Sequence, residues 1–370
     1  MATPVRSNPP FRADHIGSLL RPSALRQAHR DHSAGKLSSD AFARIQDDCI
    51  RGIVRLQETI GLKVVTDGEF RRNSYWGRFV ERTDGFEIRP ASFKFRDDSE
   101  HEVEFTAPYA ARKIRRRQPL ALDEFAFLRD TATVTPKITL PAPSTMHFYR
   151  CTDFADTSVY RDIEQYFDDV VTLFRDELKA LAEAGCRYVQ LDEVAIAMLC
   201  DPAIRATVER EGPDPHRLVE LYVDAINRSV AGLPNDMFVG VHICRGNFKG
   251  NYLSEGGYDS VAEILFEKTK VGHFLLEYDT PRAGDFKPLR FVPKDKGIVL
   301  GLVSSKTPVL ERYDDLRRRI DDAARYVDLS QLAISPQCGF ASTVAGNPLS
   351  ETDQAEKLKL VVETARKVWG

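Results

Sequence analysis

His242 and Cys244 are the residues of this 370-residue chain that most directly invite a chemical reading. They lie at i and i+2 where the apolar run Phe238–Ile243 gives way to Cys244-Arg245-Gly246. Side chains two apart on a strand point the same way. A His-x-Cys at a strand end therefore presents an imidazole nitrogen and a thiolate to one metal ion, and both are ligands that zinc favours. Alone, such a pair is more often buried filler. Cys338, between Pro336-Gln337 and Gly339, supplies a second sulfur, and Glu277 supplies a carboxylate. Together His242, Cys244, Glu277 and Cys338 make a set of four. Structural zinc sites draw their ligands as close pairs on small loops. Here 33 residues separate Cys244 from Glu277 and 61 separate Glu277 from Cys338, as in a site built into a fold. Two thiolates and a carboxylate make a metal electron-rich and a poor activator of water. Such a centre still lowers the pKa of an incoming thiol and holds it as the nucleophilic thiolate. Glu277, the hardest ligand, is the one expected to give up its place.

Other acidic and hydroxyl side chains fall at comparable places. Asp67 and Glu69 follow the run LKVVT (62–66), Asp192 and Glu193 follow Tyr188–Leu191, Asp279 follows Glu277, and Ser304 follows Ile298–Val303. Glu69 and Asp192 are the expected catalytic-site carboxylates, suited to a substrate ammonium group; the plainer role is to tie loops through backbone N–H groups. Ser18 has the same two readings, with Gly17 beside it allowing close backbone approach. The basic run Arg112–Arg117 reads first as a solvated face and second as a grip on an anionic substrate tail.

The elements that must position these residues alternate between short apolar strands and helices. Strands are predicted at His15–Leu20, Leu62–Thr66, Lys137–Leu140, Tyr188–Leu191, Phe238–Ile243, His273–Leu276, Ile298–Val303 and Leu332–Ile334. Helices are predicted over Ser23–Ala34, Ser38–Ile60, Ile163–Ala184, Pro215–Ala231, Ser260–Lys270, Val309–Tyr326 and Glu351–Trp369, several with good caps. This pattern implies a parallel sheet covered on both faces. Eight such strands predict an α/β fold of the TIM (β/α)8 barrel type, one catalytic domain over 1–370. The reactive residues would then meet at the mouth formed by the strands' C-terminal ends. An open doubly wound sheet is disfavoured because no Gly-rich phosphate loop follows the first strand. Residues 85–120 break the rhythm and predict an inserted hairpin segment.

Composition narrows the function classes. The net charge of −3 and pI near 6.3 give no bulk attraction for nucleic acid. No apolar run approaches the roughly 20 residues of a membrane span. The first twelve residues lack the apolar core of a secretory signal. Six scattered cysteines are too few for a disulfide scaffold. A reducing, cytoplasmic setting is expected, with homo-oligomerisation left open.

At these same residues the chain resembles the catalytic C-terminal barrel of cobalamin-independent methionine synthase. The resemblance rests on H-I-G-S (15–18), D-G-E-F-R-R-N (67–73), P-S-T-M-H (143–147), L-D-E (191–193), H-I-C (242–244), Glu277 and Q-C-G (337–339). It runs over nearly the whole chain and looks closest to the single-barrel, methionine-synthase-II-like group. It is also similar to epoxyalkane:coenzyme M transferase, another zinc enzyme that alkylates a thiol. The resemblance implies Zn2+ at His242, Cys244, Glu277 and Cys338, with Ser18, Glu69 and Asp192 binding the amino acid part of homocysteine. It implies transfer of a methyl group, from 5-methyltetrahydrofolate or another donor, to that thiol to give methionine. The chain's length leaves no room for the second, N-terminal barrel of the full-length synthase. The synthase carries a histidine near the end of its seventh strand, whereas residues 302–308 read L-V-S-S-K-T-P. The alternatives are a zinc alkyltransferase for another thiol or electrophile, and a zinc- or thiol-binding protein without catalysis.

Overall fold

A computed structural model of the chain describes residues 9–96 and 101–370. The N-terminal reading over 1–8, and the part of the 85–120 segment at 97–100, lie outside the described residues.

The strands, in chain order, are β1 (Val64–Val65), β2 (Thr83–Pro90), β3 (Phe95–Arg96), β4 (Glu102–Val103), β5 (Thr106–Arg116), β6 (Thr135–Pro136), β7 (Ile138–Pro141), β8 (Tyr188–Glu193), β9 (Phe238–Ile243), β10 (His273–Glu277), β11 (Gly297–Val303) and β12 (Leu332–Pro336). Strands β7 to β12 form one parallel sheet in sequence order. β1 pairs in parallel with β6, and a parallel bridge joins Ala13 to Ile334 of β12. The fold is thus mixed α/β with a parallel sheet. β7, β8, β10, β11 and β12 are buried at every position, the near-continuous apolar pattern of parallel strands covered on both faces.

The helices cover that sheet for reasons written locally. Ser38 Oγ accepts the Ala41 N–H at 3.3 Å and starts helix Ser39–Ile60, which Gly61 ends in the left-handed region at φ 102°. Asp162 caps Ile163–Glu183. Ser350 and Asp353 form a capping box on Glu351–Trp369.

Three predicted elements differ. His15–Leu20 is not a strand. Its backbone turns at Gly17 (φ 125°), and its carbonyls are taken by side chains such as Thr66 Oγ1, 2.6 Å from the Gly17 oxygen. The helix predicted over Ser260–Lys270 is a short 3-10 turn, Tyr258–Ser260, followed by a π turn, Ile264–Lys268. Thr269 Oγ1 and Lys296 Nζ take the carbonyls of Leu265 and Phe266, both at 2.6 Å, and end the segment there. The helix predicted over Val309–Tyr326 is confined to Tyr313–Ala323. Within 85–120, β2 and β5 pair as an antiparallel ribbon, Glu87 opposite Tyr109.

Candidate metal centre

Neighbouring registers bring the reactive side chains to one end of the sheet. Asp192 of β8 is opposite His242 of β9, and His242 is opposite Leu275 of β10. His242, Cys244 and Cys338 come together with their ligand atoms all within 4.8 Å of one another, and each is buried. The two sulfurs are 3.6 Å apart and unbonded. Two thiolates on a tetrahedral zinc, at bonds of about 2.3 Å, sit roughly 3.8 Å apart. His242 Nδ1 is 3.1 Å from the Leu275 carbonyl, to which it donates, while Nε2 has no hydrogen-bond partner among the described residues. That arrangement leaves a lone pair on Nε2 facing the sulfurs, the usual tautomer of a metal-bound histidine. The shared hydrogen bond between the thiols pushes Cys338 down and Cys244 up.

Glu277 lies outside this three-residue group. Its Oε2 accepts the Arg245 N–H at 2.8 Å, and Oε1 carries no hydrogen bond, with Lys306 Nζ at 3.8 Å. Burial raises its pKa, but Lys306 and Arg245 outweigh this and keep it below the usual carboxylate range. A fully buried carboxylate oxygen that takes no hydrogen bond among the described residues, together with two thiols and an imidazole nitrogen of the same kind, is a donor set that fits zinc.

A cavity of about 50 Å³ touches this cluster and is also lined by Ser18, Glu69, Tyr75, Asp192 and Asn247. Ser18, Glu69 and Asp192, expected from sequence, therefore converge with the sulfurs. Asp67, Glu193, Asp279 and Ser304 do not line it. Asp67 Oδ1 instead accepts the Glu69 N–H at 2.8 Å, and Glu193 takes Ser144 Oγ at 2.5 Å and the Ile196 N–H at 2.9 Å. These are the loop-tying roles. Burial pushes the Asp192 carboxyl up to about 7, with the charge of Glu69 adding to it and His242 opposing it.

Glu69 sits in the left-handed region at φ 60°, directly after Gly68 at φ 70°. That costs about 1 kcal/mol or more for a side chain with a Cβ, and neighbouring arginines hold it. Arg21, 1% exposed, donates to the carbonyls of Glu69 (2.9 Å), Arg72 (2.7 Å), Ala341 (3.1 Å) and Thr343 (3.0 Å). It ties the Glu69 loop to the loop after Cys338. Arg72 grips Glu124 and Thr139, and Thr139 Oγ1 donates to Glu69 Oε1 at 2.7 Å. Sequence reasoning missed Arg21 and Arg72 as site-builders. The available signal was an arginine closing an apolar stretch just before a proline (Leu19-Leu20-Arg21-Pro22) and one inside D-G-E-F-R-R-N.

Outside lies a larger pocket of about 690 Å³, sharing Tyr75, Phe95, Tyr149, Asn247 and Ser342 with the inner cavity. Its walls include Trp76, Phe248, and Phe86, Ile88 and Thr106 of the β2/β5 ribbon. Tyr75 and Tyr149 hydroxyls meet at 2.8 Å between the two spaces. The basic run divides here. Arg112 and Arg117 line the outer pocket, whereas Lys113 pairs with Asp169 at 2.6 Å and Arg116 with Glu177. Among the described residues, no helix is long and apolar enough to cross a membrane.

Residues 11–367 match the family model described as the catalytic domain of cobalamin-independent synthase. An uncharacterized protein of Bacillus subtilis (strain 168), YxjH, is 41% identical over 364 residues, covering 97% of this chain and 95% of the relative. The methionine synthase of Pyrococcus furiosus is 28% identical over 330 residues, 88% of this chain and 85% of the relative. Among solved structures, a putative vitamin-B12 independent methionine synthase from Listeria monocytogenes superposes with a TM-score of 0.75 at 32% identity, covering 97% of this chain and 98% of that one. A B12-independent methionine synthase from Shewanella sp. W3-18-1, solved with selenomethionine, has the same fold at a TM-score of 0.73 and 21% identity, covering 96% and 97%.

Proposed function

The chain belongs to the family of cobalamin-independent synthase catalytic domains, and from that membership we propose that it is a zinc-dependent S-methyltransferase making methionine from homocysteine. The observation that carries this reading is the convergence of His242, Cys244 and Cys338 with Glu69 and Asp192 around one buried cavity. Glu277, whose charge acts on both thiols and whose Oε1 takes no hydrogen bond among the described residues, is the fourth ligand of the proposal. The sheet is read as closing into a (β/α)8 barrel over 1–370, with 85–120 inserted, supported by the Ala13–Ile334 bridge and the β1–β6 pairing. A cytoplasmic setting follows from the same family reading.

Zinc held there would lower the pKa of a bound thiol and keep it as the nucleophilic thiolate. The chain's own residues do the rest. Asp192 and Glu69 take the substrate ammonium, and Ser18 takes its carboxylate, so the sulfur points at the metal ligands. The buried walls exclude water from the reacting centre. The methyl donor, 5-methyltetrahydrofolate or another carrier, is placed in the outer pocket with its methyl group towards Tyr75 and Tyr149. The sulfur forms a bond to the methyl carbon as the carrier–methyl bond breaks, and the carrier leaves with the bonding pair. Positioning of the two reactants supplies most of the rate.

The test is mass spectrometry of products from zinc-loaded enzyme given homocysteine and each of methyltetrahydrofolate, methylcobalamin and S-methylmethionine. Methionine from one of them is expected. None from any, with zinc bound, would sink the proposal and leave transfer to a different thiol as the next reading, for which Arg112 and Arg117 at the outer pocket offer an anion contact.

A further inference from the structure

Behind Asp192 runs a chain of fully buried polar side chains that the proposed chemistry does not use. Lys137, Gln190, Asp14, Tyr188 and His273 are each at most 1% exposed. An ammonium group has three protons and no lone pair. Lys137 Nζ gives them to Asp14 Oδ1 (2.7 Å), to Gln190 Oε1 (3.0 Å) and to the His15 carbonyl. The other Asp14 oxygen accepts Tyr188 OH at 2.5 Å, and that hydroxyl in turn meets His273 Nε2 at 2.8 Å.

This settles which way the Gln190 amide faces. Its oxygen must point at Lys137, so its NH2 group must point the other way. There Nε2 donates to the Ile16 carbonyl at 2.6 Å and to Asp192 Oδ1 at 2.7 Å. Turned over, the amide would set NH2 against an ammonium and a carbonyl oxygen against two acceptors. Amide orientation is often a matter of assignment, but here the neighbours' chemistry allows one answer. Gln190 and Asp192 are i and i+2 on β8, on the same face. Ile16 lies two residues before Ser18. One side chain thus binds both arms of the inner cavity, the Asp192 carboxylate and the segment that carries Ser18.

We propose that Gln190, oriented by Lys137, is a positioning residue that fixes the Asp192 carboxylate for the ammonium group of the thiol substrate. The inference rests on the reading that Asp192 receives that ammonium. By engaging Oδ1, Gln190 stops the carboxylate from rotating and leaves Oδ2, which takes no hydrogen bond among the described residues, for the ligand. A hydrogen bond to a charged group contributes about 1.5–3 kcal/mol, so its loss is expected to weaken ammonium recognition about tenfold or more.

The experiment compares binding of homocysteine and of 4-mercaptobutanoate, the same thiol without the amino group, to zinc-loaded protein by calorimetry. The wild type is expected to prefer homocysteine. In Gln190→Met that preference is expected to shrink about tenfold, while affinity for 4-mercaptobutanoate changes less than about twofold. A general structural defect would weaken both ligands together. Should Gln190→Met fail to fold, Gln190→Asn keeps the amide but is one methylene too short to span Lys137 and Asp192, and must show the same selective loss. An undiminished preference in the variant that folds overturns the inference. Asp192→Asn separates the two levels. If it keeps the preference, the ammonium reading of Asp192 falls and takes the inference with it. If it loses the preference while the Gln190 variant does not, only the role of Gln190 falls.

Discussion

Replacing Arg72 by methionine tests whether the Glu69 loop is held by a buried ion pair. Arg72 is 3% exposed and Glu124 is 1% exposed. Arg72 Nε and Nη2 lie 3.0 and 2.7 Å from Glu124 Oε2, Nη1 is 2.9 Å from Thr139 Oγ1, and Nη2 is 2.8 Å from the Thr139 carbonyl. Methionine fills most of the volume but leaves the Glu124 carboxylate buried, with Arg78, at 3.0 Å, the one other cation in range among the described residues. Removing one partner of a buried pair costs about 3–5 kcal/mol. Unfolding entropy near ~2.1 cal/mol/K per residue gives roughly 0.8 kcal/mol per degree at this length, so the melting temperature should fall by about 4–6 °C. Thr139 Oγ1 also loses its orientation towards Glu69 Oε1, so affinity for an amino acid thiol should drop as well. The assay is calorimetric melting of wild type, Arg72→Met, Glu124→Gln and the double variant. The double variant should recover at least about half of the loss, because Glu124 is then no longer a stranded charge, while Glu69, 3.6 Å from Arg72 Nη1, keeps the hydrogen bond from Thr139. A fall below about 1 °C, or a double variant no more stable than Arg72→Met, would refute the reasoning.

Three further outcomes follow from single contacts. Cys338→Ser removes one of two sulfurs 3.6 Å apart, and zinc content measured by mass spectrometry after dialysis against a chelator should fall from about one per chain to near zero. Gly17→Ala places a Cβ 2.6 Å from Thr139 Cγ2 at φ 125°, so it should lower stability by more than about 2 kcal/mol and weaken thiol binding through the neighbouring Ser18. His147, packed among Phe154, Phe167 and Tyr222, is pushed down to about 3 by burial. The unfolded chain protonates this histidine near 6.5, so the stabilising effect of the neutral ring is complete above that pH and is lost as pH falls towards 3. Relative to His147→Gln, wild type should lose about 2 kcal/mol between pH 8 and pH 5 in urea melts; a constant difference would contradict this.

Much of the architecture was legible because its periodicities are strong. Phe238–Ile243 and Glu351–Trp369 are read from sequence to the residue, and the parallel strands carry continuous buried apolar runs. His15–Leu20 misled because it is apolar and buried like a strand, while its backbone is satisfied by side chains that lie far off in the sequence. In the site, His242, Cys244 and Cys338 were legible from residue type and strand-end placement alone. Arg21, Arg72 and Gln190 were not, because their importance lies in carbonyls and carboxylates contributed by distant loops. Their settings mark them as buried (Arg21 closing an apolar stretch, Arg72 within D-G-E-F-R-R-N, Gln190 within a strand), but nothing local names their partners. Arg112–Arg117 shows the converse: a conspicuous local run whose members divide between pocket lining and ordinary ion pairs.

The inner and outer spaces are built from different material, and that has consequences for what can vary. Around the inner cavity, Ser18, Glu69, Asp192 and His242 stand on strands or on loops pinned by Arg21, Arg72 and Gln190, all nearly inaccessible. Displacing any of them unpairs a buried polar group, which costs about 1–3 kcal/mol each time. The outer pocket leans on the β2/β5 ribbon, where Ile88 is 50% exposed and the ion pairs of Arg112 and Arg117 are long, at 3.9 Å. Substitutions there meet little resistance from packing. On the proposed reading, the half that receives the thiol is rigid and the half that receives the methyl carrier is free to change. Exchanging Phe86 or Arg112 should therefore alter the Km for the donor while leaving the affinity for homocysteine within about twofold. A comparable change in both would mean that the two spaces are coupled through Tyr75 and Tyr149 rather than built independently.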